Sequence, residues 1–365
     1  MNMRAQSKPL LMAGQASRCQ ATWSSSRARR ARYGEKRGLG WLWLACAVPA
    51  ALWGATLEET FDNDPLRNGW KIYGAGEMFS WNSGLNALEV TWDSSRSNSY
   101  FHRPIGTILS RDDDFAFAFT VRFQDLAIGT TAGKPYTFQI AVGLLNLQAA
   151  TSSNFFRGSG LNNSNGPRSI VEFAYFPDSG FGATIAPTVV STNNRFAFAH
   201  HYPLELTPHN TFRVLMTYSA TNRTLHTAVT RNGEMFGLPP DNQLPPLAFG
   251  DLPDFRVDTF SISSYSDAGQ NPPQFSGSIL AHGVVDDLLY SGPEPPAMNM
   301  KWLTGNRSLQ FTGKPGWTYL LERTTNLSVW TPASSVTVAT NDVTTLADTN
   351  VVVSTAFYRL RINRP

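Results

Sequence analysis

The sequence predicts an all-β protein built as a large antiparallel sandwich followed by a small β module. Three observations carry this expectation. Phe115, Phe117, Phe119, Val121 and Phe123 alternate with Ala116, Ala118, Thr120 and Arg122, the period-two pattern of a half-buried strand. Strand-like runs recur from Thr56 to Tyr290, and no stretch carries the 3.6-residue apolar period of an amphipathic helix of normal length. Aromatic residues at 12%, with 28 Gly and 23 Pro in 365 residues, favour strands and turns over helices.

The first 55 residues stand apart. Arg27, Arg29, Arg30, Arg32, Lys36 and Arg37 form a basic block. An apolar run from Leu39 to Ala55 follows, with Trp41, Leu42, Trp43, Leu44 and Val48 at its centre, and then Glu58 and Glu59. This is the layout of a secretory signal peptide. Cleavage is expected after Val48-Pro49-Ala50 or Trp53-Gly54-Ala55. Pro and Gly interrupt the run, and it is too short for a membrane span. Arg29-Arg30 and Leu44-Ala45-Cys46 touch on twin-arginine and lipoprotein signals, but their flanking residues fit neither. The expected product is secreted, cell-surface or periplasmic.

Cleavage changes the charge balance. Residues 1–55 carry 9 of the 30 Lys and Arg and 1 of the 27 Asp and Glu, which leaves 21 basic and 26 acidic residues and a net charge of −5. A basic nucleic-acid-binding surface loses its support. Both cysteines, Cys19 and Cys46, lie in the presequence, so no disulfide is expected in the mature protein.

Within the sandwich, expected at 56–291, the alternation recurs along the chain. It appears at Tyr136, Phe138, Ile140 and Val142, then at Phe212, Val214, Met216 and Tyr218, and at Leu225, Thr227 and Val229. Asn232-Gly233 marks a tight hairpin turn. Val257 to Ile262 and Ile279 to Tyr290 complete the series. A Pro-rich linker at 292–297 separates a module at 298–365. Its strands are expected around Trp317–Arg323, Val336–Val338 and Phe357–Ile362, and it is similar to small β modules that end many secreted bacterial proteins.

Three segments occur in a telling order: Val171-Glu172-Phe173-Ala174-Tyr175-Phe176, then Gly182-Ala183-Thr184-Ile185, then the run from Val214 to Leu225. This order resembles the strand series of concanavalin A-like jelly-roll sandwiches of the legume-lectin and laminarinase type. There a Val-Glu-Phe-Asp strand precedes a Gly-Ile-Asp strand and a Tyr-Asp hairpin. The resemblance implies a glycan-binding or glycan-cleaving fold. It also implies that Glu172 is the retained half of a metal-binding pair whose second carboxylate is replaced by Ala174. The intervening ligand loop is shortened to Pro177-Asp178-Ser179-Gly180-Phe181. Retaining glycosidases need two carboxyls about 5–5.5 Å apart, and alternate positions after Glu172 supply Ala174 and Phe176 instead. No paired-metal site and no hydrolytic pair are therefore expected on this strand, and the alternative reading of Glu172 is a lone polar residue of the concave face.

The expected glycan-binding set is Glu172, Tyr175, Arg157, Asn162 and Arg168, the last three from the polar loop Asn154–Arg168. A plain surface loop is the alternative. Asp62 and Asp64 open the sandwich, and Asp286 and Asp287 close it. They are the candidate ligands of one structural Ca²⁺, which needs several converging oxygens, with ordinary turn residues as the alternative. His200, His201 and His209 lack ligand-spaced partners. Asn162, Asn222, Asn306 and Asn326 fit the N-glycosylation sequon. The functional expectation is an exported, non-catalytic protein that binds a glycan or a cell-envelope polysaccharide. A divergent glycoside hydrolase or polysaccharide lyase, and a structural surface protein, are the alternatives.

Overall fold

The computed structural model describes residues 55–136, 139–157, 166–177, 182–198, 203–250, 253–270, 276–293, 297–303, 307–340, 342–349 and 356–363. The basic block, the apolar run as far as Gly54, Asn162, His200, His201 and Asn306 lie outside these residues.

Strands are numbered in chain order. The first six are β1 (Ala55–Glu59), β2 (Lys71–Tyr73), β3 (Phe79–Asn82), β4 (Ala87–Asp93), β5 (Ser99–Leu109) and β6 (Phe115–Ile128). Next come β7 (Ile140–Leu145), the single helical turn α1 (Leu147–Ala150), β8 (Ile170–Phe176), β9 (Thr184–Val190) and β10 (Phe196–Phe198). The sandwich ends with β11 (Phe212–Ser219), β12 (Thr224–Arg231), β13 (Glu234–Met235), β14 (Leu247–Ala248), β15 (Val257–Ser264) and β16 (Ile279–Gly292).

These strands form two antiparallel sheets. The nine-stranded sheet runs β13-β12-β11-β6-β16-β4-β3, with β1 added on β16 and β14 on β12. The seven-stranded sheet runs β10-β9-β8-β7-β15-β5-β2. The expected all-β sandwich is thus what the chain forms. The alternating runs became β6, β11 and β12, and Asn232 and Gly233, at φ 53° and 91°, make the hairpin between β12 and β13. In the run from Tyr136 to Val142, Phe138 lies outside the described residues, β7 carries Ile140 and Val142, and Tyr136 makes an isolated bridge to Gly277.

The core lies between the sheets. Trp70 stacks on Phe101 at 4.9 Å, Phe117 meets Phe260 edge-on at 5.8 Å, and Phe119 meets Phe173 at 5.6 Å. Burying such rings supplies most of the driving force. Of the early aromatic cluster, Trp70, Phe79 and Trp92 are buried here with half-buried Trp81 packed against them, while Tyr100 is buried on the opposite face of its strand from Phe101.

The two sheets differ on their outer faces. In β11 buried and half-buried residues alternate, as expected when one face meets solvent. In β7 every residue is buried, and in β8 all but the last. At β7 and β8 the seven-stranded sheet is therefore covered on both sides, whereas Lys71 and Tyr73 of β2 and Pro104 and Gly106 of β5 stay exposed on the outer face.

Beyond the sandwich, β17 (Ala297–Leu303), β18 (Ser308–Gly313) and β21 (Val343–Ala347) form one three-stranded sheet. A second is formed by β20 (Thr331–Thr337), β19 (Thr318–Thr324) and β22 (Phe357–Asn363). They share a core of Phe311, Trp317, Tyr319, Leu321, Val338 and Leu346, against which Ile108 of β5 also packs.

Candidate functional site

Strand parity sorts the side chains of β8. Phe173 and Tyr175 point into the sandwich, where they meet Phe119 and Phe123. Glu172 and Ala174 therefore point to the opposite, outer face. Tyr175 is fully buried, and its hydroxyl accepts the Leu206 backbone N–H at 2.9 Å. Burial pushes its phenol pKa well up. Expected among the glycan-binding residues, Tyr175 instead presents no surface to a ligand, because it lies three positions from Glu172 on one strand and so on the other side of the sheet.

The row through Glu172 runs across six strands in register: Lys71, His102, Ser261, Gly143, Glu172 and Thr188. Gly143 stands directly opposite Glu172, and a Cβ on it would lie 2.6 Å from Glu172 Cα and 2.9 Å from Glu172 Cβ. The missing side chain is what lets the carboxylate stem occupy this spot. At the alternating positions of this face in β2, β5, β15, β7, β8 and β9, Glu172 is the one carboxylate.

That carboxylate is sealed by Arg157. Arg157 Nε and Nη2 both donate to Glu172 Oε1, at 3.0 and 2.6 Å. Gln139 Nε2 donates to the same oxygen at 3.3 Å, and Tyr265 Oη donates to Oε2 at 2.8 Å. The two charged side chains are 9% and 3% exposed. The guanidinium also sits 5.8 Å from the Tyr265 ring centroid. Burial, and then the Glu172 charge, hold the Tyr265 phenol pKa well above its usual value. Burial does the same at Tyr100, followed by the charges of Tyr73 and Glu172. Both phenols therefore stay neutral donors. The expected partners Arg157 and Glu172 are brought together, but as a closed ion pair.

The loop after β7 carries Arg157 over the sheet. Asn146 caps α1 by accepting from Ala149 N at 2.9 Å, and Asp258 accepts from Leu147 N at 3.0 Å. Tyr100 Oη donates to the Ala150 carbonyl at 3.1 Å and Tyr73 Oη to that of Thr151 at 3.2 Å. Asn98 joins three loops: its Nδ2 donates to the Phe155 carbonyl at 3.0 Å, and its Oδ1 accepts from Ser266 N at 2.8 Å. Phe156 lies against Gly269, where a Cβ would come within 2.6 Å of the ring. Beneath this cover His102 is 5% exposed and its Nδ1 has no hydrogen-bond partner among the described residues. Burial, and then the Lys71 charge, lower its pKa, so it stays neutral.

A small cavity of about 220 Å³ remains in the covering loop, lined by Ala149, Ser152, Asn154, Phe155, Gly166 and Arg168. Arg168 lines this cavity, with a carboxamide, a hydroxyl and an aromatic ring around it. Asn162 falls outside the described residues.

The four aspartates lie at the far end of the nine-stranded sheet, where β1 pairs with β16. Asp64 caps the short 3₁₀ turn Pro65–Asn68 by accepting from Leu66 N at 3.0 Å. Asp62 accepts from Thr60 Oγ1 at 3.0 Å and Asn86 Nδ2 at 3.4 Å. Asp287, at φ 49°, accepts from Thr120 Oγ1 at 3.2 Å. Burial, then the charges of Asp287 and Asp62, push the Asp286 carboxyl up to about 7. Among the described residues no three His, Cys, Asp or Glu side chains converge as metal ligands. The donor set does not fit the expected Ca²⁺ site: Asp64 is committed to a cap, and Asp62 and Asp287 are each held by neighbouring donors.

Gln139, Tyr265, Asn98 and Gly143 were not expected at the site. Gly143 alone left a signal, since an isolated glycine in a strand marks the close approach of other atoms.

Compared with known proteins, the chain matches no protein-family model and no curated protein. Among solved structures it is similar to lectin II from Ulex europaeus, at 13% identity and TM-score 0.39, over 66% of this chain and 100% of that one. It is likewise similar to the metal-free form of lectin I-B4 from Griffonia simplicifolia, at 12% identity and TM-score 0.40, over 66% and 100% of the two chains. A legume lectin-like domain from Entamoeba histolytica is similar at 10% identity and TM-score 0.38, over 64% and 95%.

Proposed function

We propose that this chain is an exported, non-catalytic protein that binds a glycan or cell-envelope polysaccharide through the loop covering its seven-stranded sheet. The observation that carries the reading is the cavity of about 220 Å³ bearing Arg168, Asn154, Ser152 and the Phe155 side chain. An arginine and an amide supply donors, a hydroxyl supplies both roles, and an aromatic edge offers an apolar wall. The cavity is small, which suits part of a sugar ring. Loop 146–157 is held by Arg157 and Glu172, so the lining residues need little ordering on binding. Export rests on the N-terminal basic and apolar pattern.

Catalysis is not part of this reading. Glu172 is the one carboxylate at the alternating positions of its face, and its oxygens already accept from Arg157, Gln139 and Tyr265. Two-carboxylate hydrolysis has no second group there. Nor is a structural Ca²⁺ at Asp62, Asp64, Asp286 and Asp287, for the reasons of fit given above. The covered face does favour one second reading, a structural surface protein that binds no sugar.

A glycan array probed with the full chain separates the two. Binding to at least one glycan, lost in Arg168→Ala and Asn154→Ala, supports the proposal. A blank array favours the structural role. Release of reducing ends from β-glucans that disappears in Glu172→Gln would overturn the non-catalytic reading.

A further inference from the structure

A second cavity lies where the end of β1 in one sheet approaches β5 in the other. It measures about 360 Å³ and is lined by Glu58, Thr60, Asp62, Asn63, Asn68 and Arg103, over a floor formed by Glu59. The volume is within the range of small-molecule sites.

The floor is rigidly held. Glu59 is buried, and its two oxygens accept from Phe61 N and Trp70 Nε1, each at 3.0 Å. Trp81 Nε1 donates to the Phe61 carbonyl at 2.8 Å. Phe61 is itself fully buried at φ 49°, a left-handed conformation that non-glycine residues rarely adopt. Strain of this kind persists only where surrounding bonds over-determine the backbone. Here they hold the turn 60–64 in the shape that opens the cavity.

The walls are chemically mixed. Arg103 is half-buried, yet makes no hydrogen bond or ion pair with any described residue, although Glu58 and Asp62 line the same space. Its planar fork of donors is therefore available within the cavity. Asn63 and Asn68 add amide donors and acceptors, and Glu58, Asp62 and Thr60 add acceptors. An anion would meet two carboxylates, and a cation would meet the guanidinium. A neutral polyol satisfies both sets, because each hydroxyl donates once and accepts from a second group.

We infer that this cavity is a binding site for a neutral sugar, separate from the loop cavity and recognised by Arg103 together with Asn68 and Glu58. Arg103 spans two vicinal hydroxyl oxygens, while Glu58 accepts a hydroxyl proton. The bound ring rests on the surface that Glu59, Phe61 and Trp70 hold in place.

Saturation-transfer NMR on the full chain tests this with five probes: methyl α-glycosides of galactose, mannose and glucose, glucuronate as the anion, and glucosamine as the cation. The expected result is transfer to at least one neutral methyl glycoside. Its dissociation constant should rise at least tenfold in Arg103→Ala and in Asn68→Ala, while Arg122→Ala, an exposed position of β6 outside both cavities, leaves it unchanged. Asn68 is exposed, so its variant keeps the test valid should Arg103→Ala fold poorly. No transfer to any neutral glycoside, transfer to glucuronate or glucosamine alone, or binding indifferent to Arg103 and Asn68 overturns the inference. Loss of binding in Arg168→Ala with retention in Arg103→Ala overturns it as well and assigns the sugar to the loop cavity.

Discussion

Replacing Arg157 by Met tests how the covering loop is held. The substitution keeps the apolar stem and removes the guanidinium, which donates twice to Glu172 Oε1. Removing one member of a buried pair costs about 3–5 kcal/mol, because the other charge is left without its partner. Glu172 retains the Tyr265 and Gln139 donors, which places the expected cost near the lower limit, about 3 kcal/mol. For a domain of this size that lowers the melting temperature by roughly 6–12 °C. Glu172→Gln alone should cost a similar amount, since it strands the guanidinium. The double variant, Arg157→Met with Glu172→Gln, should recover most of the loss, giving a coupling energy of at least about 2 kcal/mol. Thermal unfolding followed by tryptophan fluorescence and far-ultraviolet circular dichroism reads all four proteins. A single-variant cost below about 1 kcal/mol, or additive single costs, would show that the pair does not hold the loop.

Three further outcomes are expected. Gly143→Ala places a methyl group against the Glu172 stem and should destabilise by about 1–3 kcal/mol through overpacking, read as a lower urea midpoint; an unchanged midpoint would mean that β7 and β8 shift apart at no cost. The Asp286 carboxyl, raised to about 7, holds its proton more tightly folded than unfolded, so stability is greatest below about pH 4 at this group and falls as pH rises towards 7. The loss is on the order of 1–2 kcal/mol once solvent screening of this half-exposed group is allowed for. Asp286→Asn should flatten that slope, and an identical pH profile in the variant refutes the assignment. Because the four aspartates do not form a cation cage, EDTA should leave the melting temperature unchanged, whereas a drop that Ca²⁺ reverses and Asp287→Ala abolishes would restore the metal site.

Much of the sheet architecture was legible in the residues. The alternation from Phe115 to Phe123 reads directly as β6, because a half-buried strand must place every second side chain against the core. Asn232-Gly233 reads as a turn because both positions need positive φ. The side assignment of Tyr175 was legible in principle, since residues three apart on a strand face opposite ways. The site was legible only in its parts. Arg157 and Glu172 stood out individually, but nothing local in the sequence says that a residue from the loop after β7 lies across β8. Tyr265 reaches the same carboxylate from 93 positions away, a closeness that no short-range pattern encodes.

The sequence by itself determined the β class, the strand faces and the absence of a carboxylate at positions 174 and 176, because these depend on residue type and a local period of two. Tertiary structure alone decided that the outer face of the seven-stranded sheet is closed over β7 and β8 around Glu172. That closure comes from the docking of loop 146–157 on Tyr73, Tyr100, Asn98 and Glu172. It likewise decided that four aspartates brought together where β1 pairs with β16 do not converge as metal ligands among the described residues. Metal cages, ion pairs and cavities depend on distances between residues far apart in the chain, and packing sets those distances only once the sheets have paired.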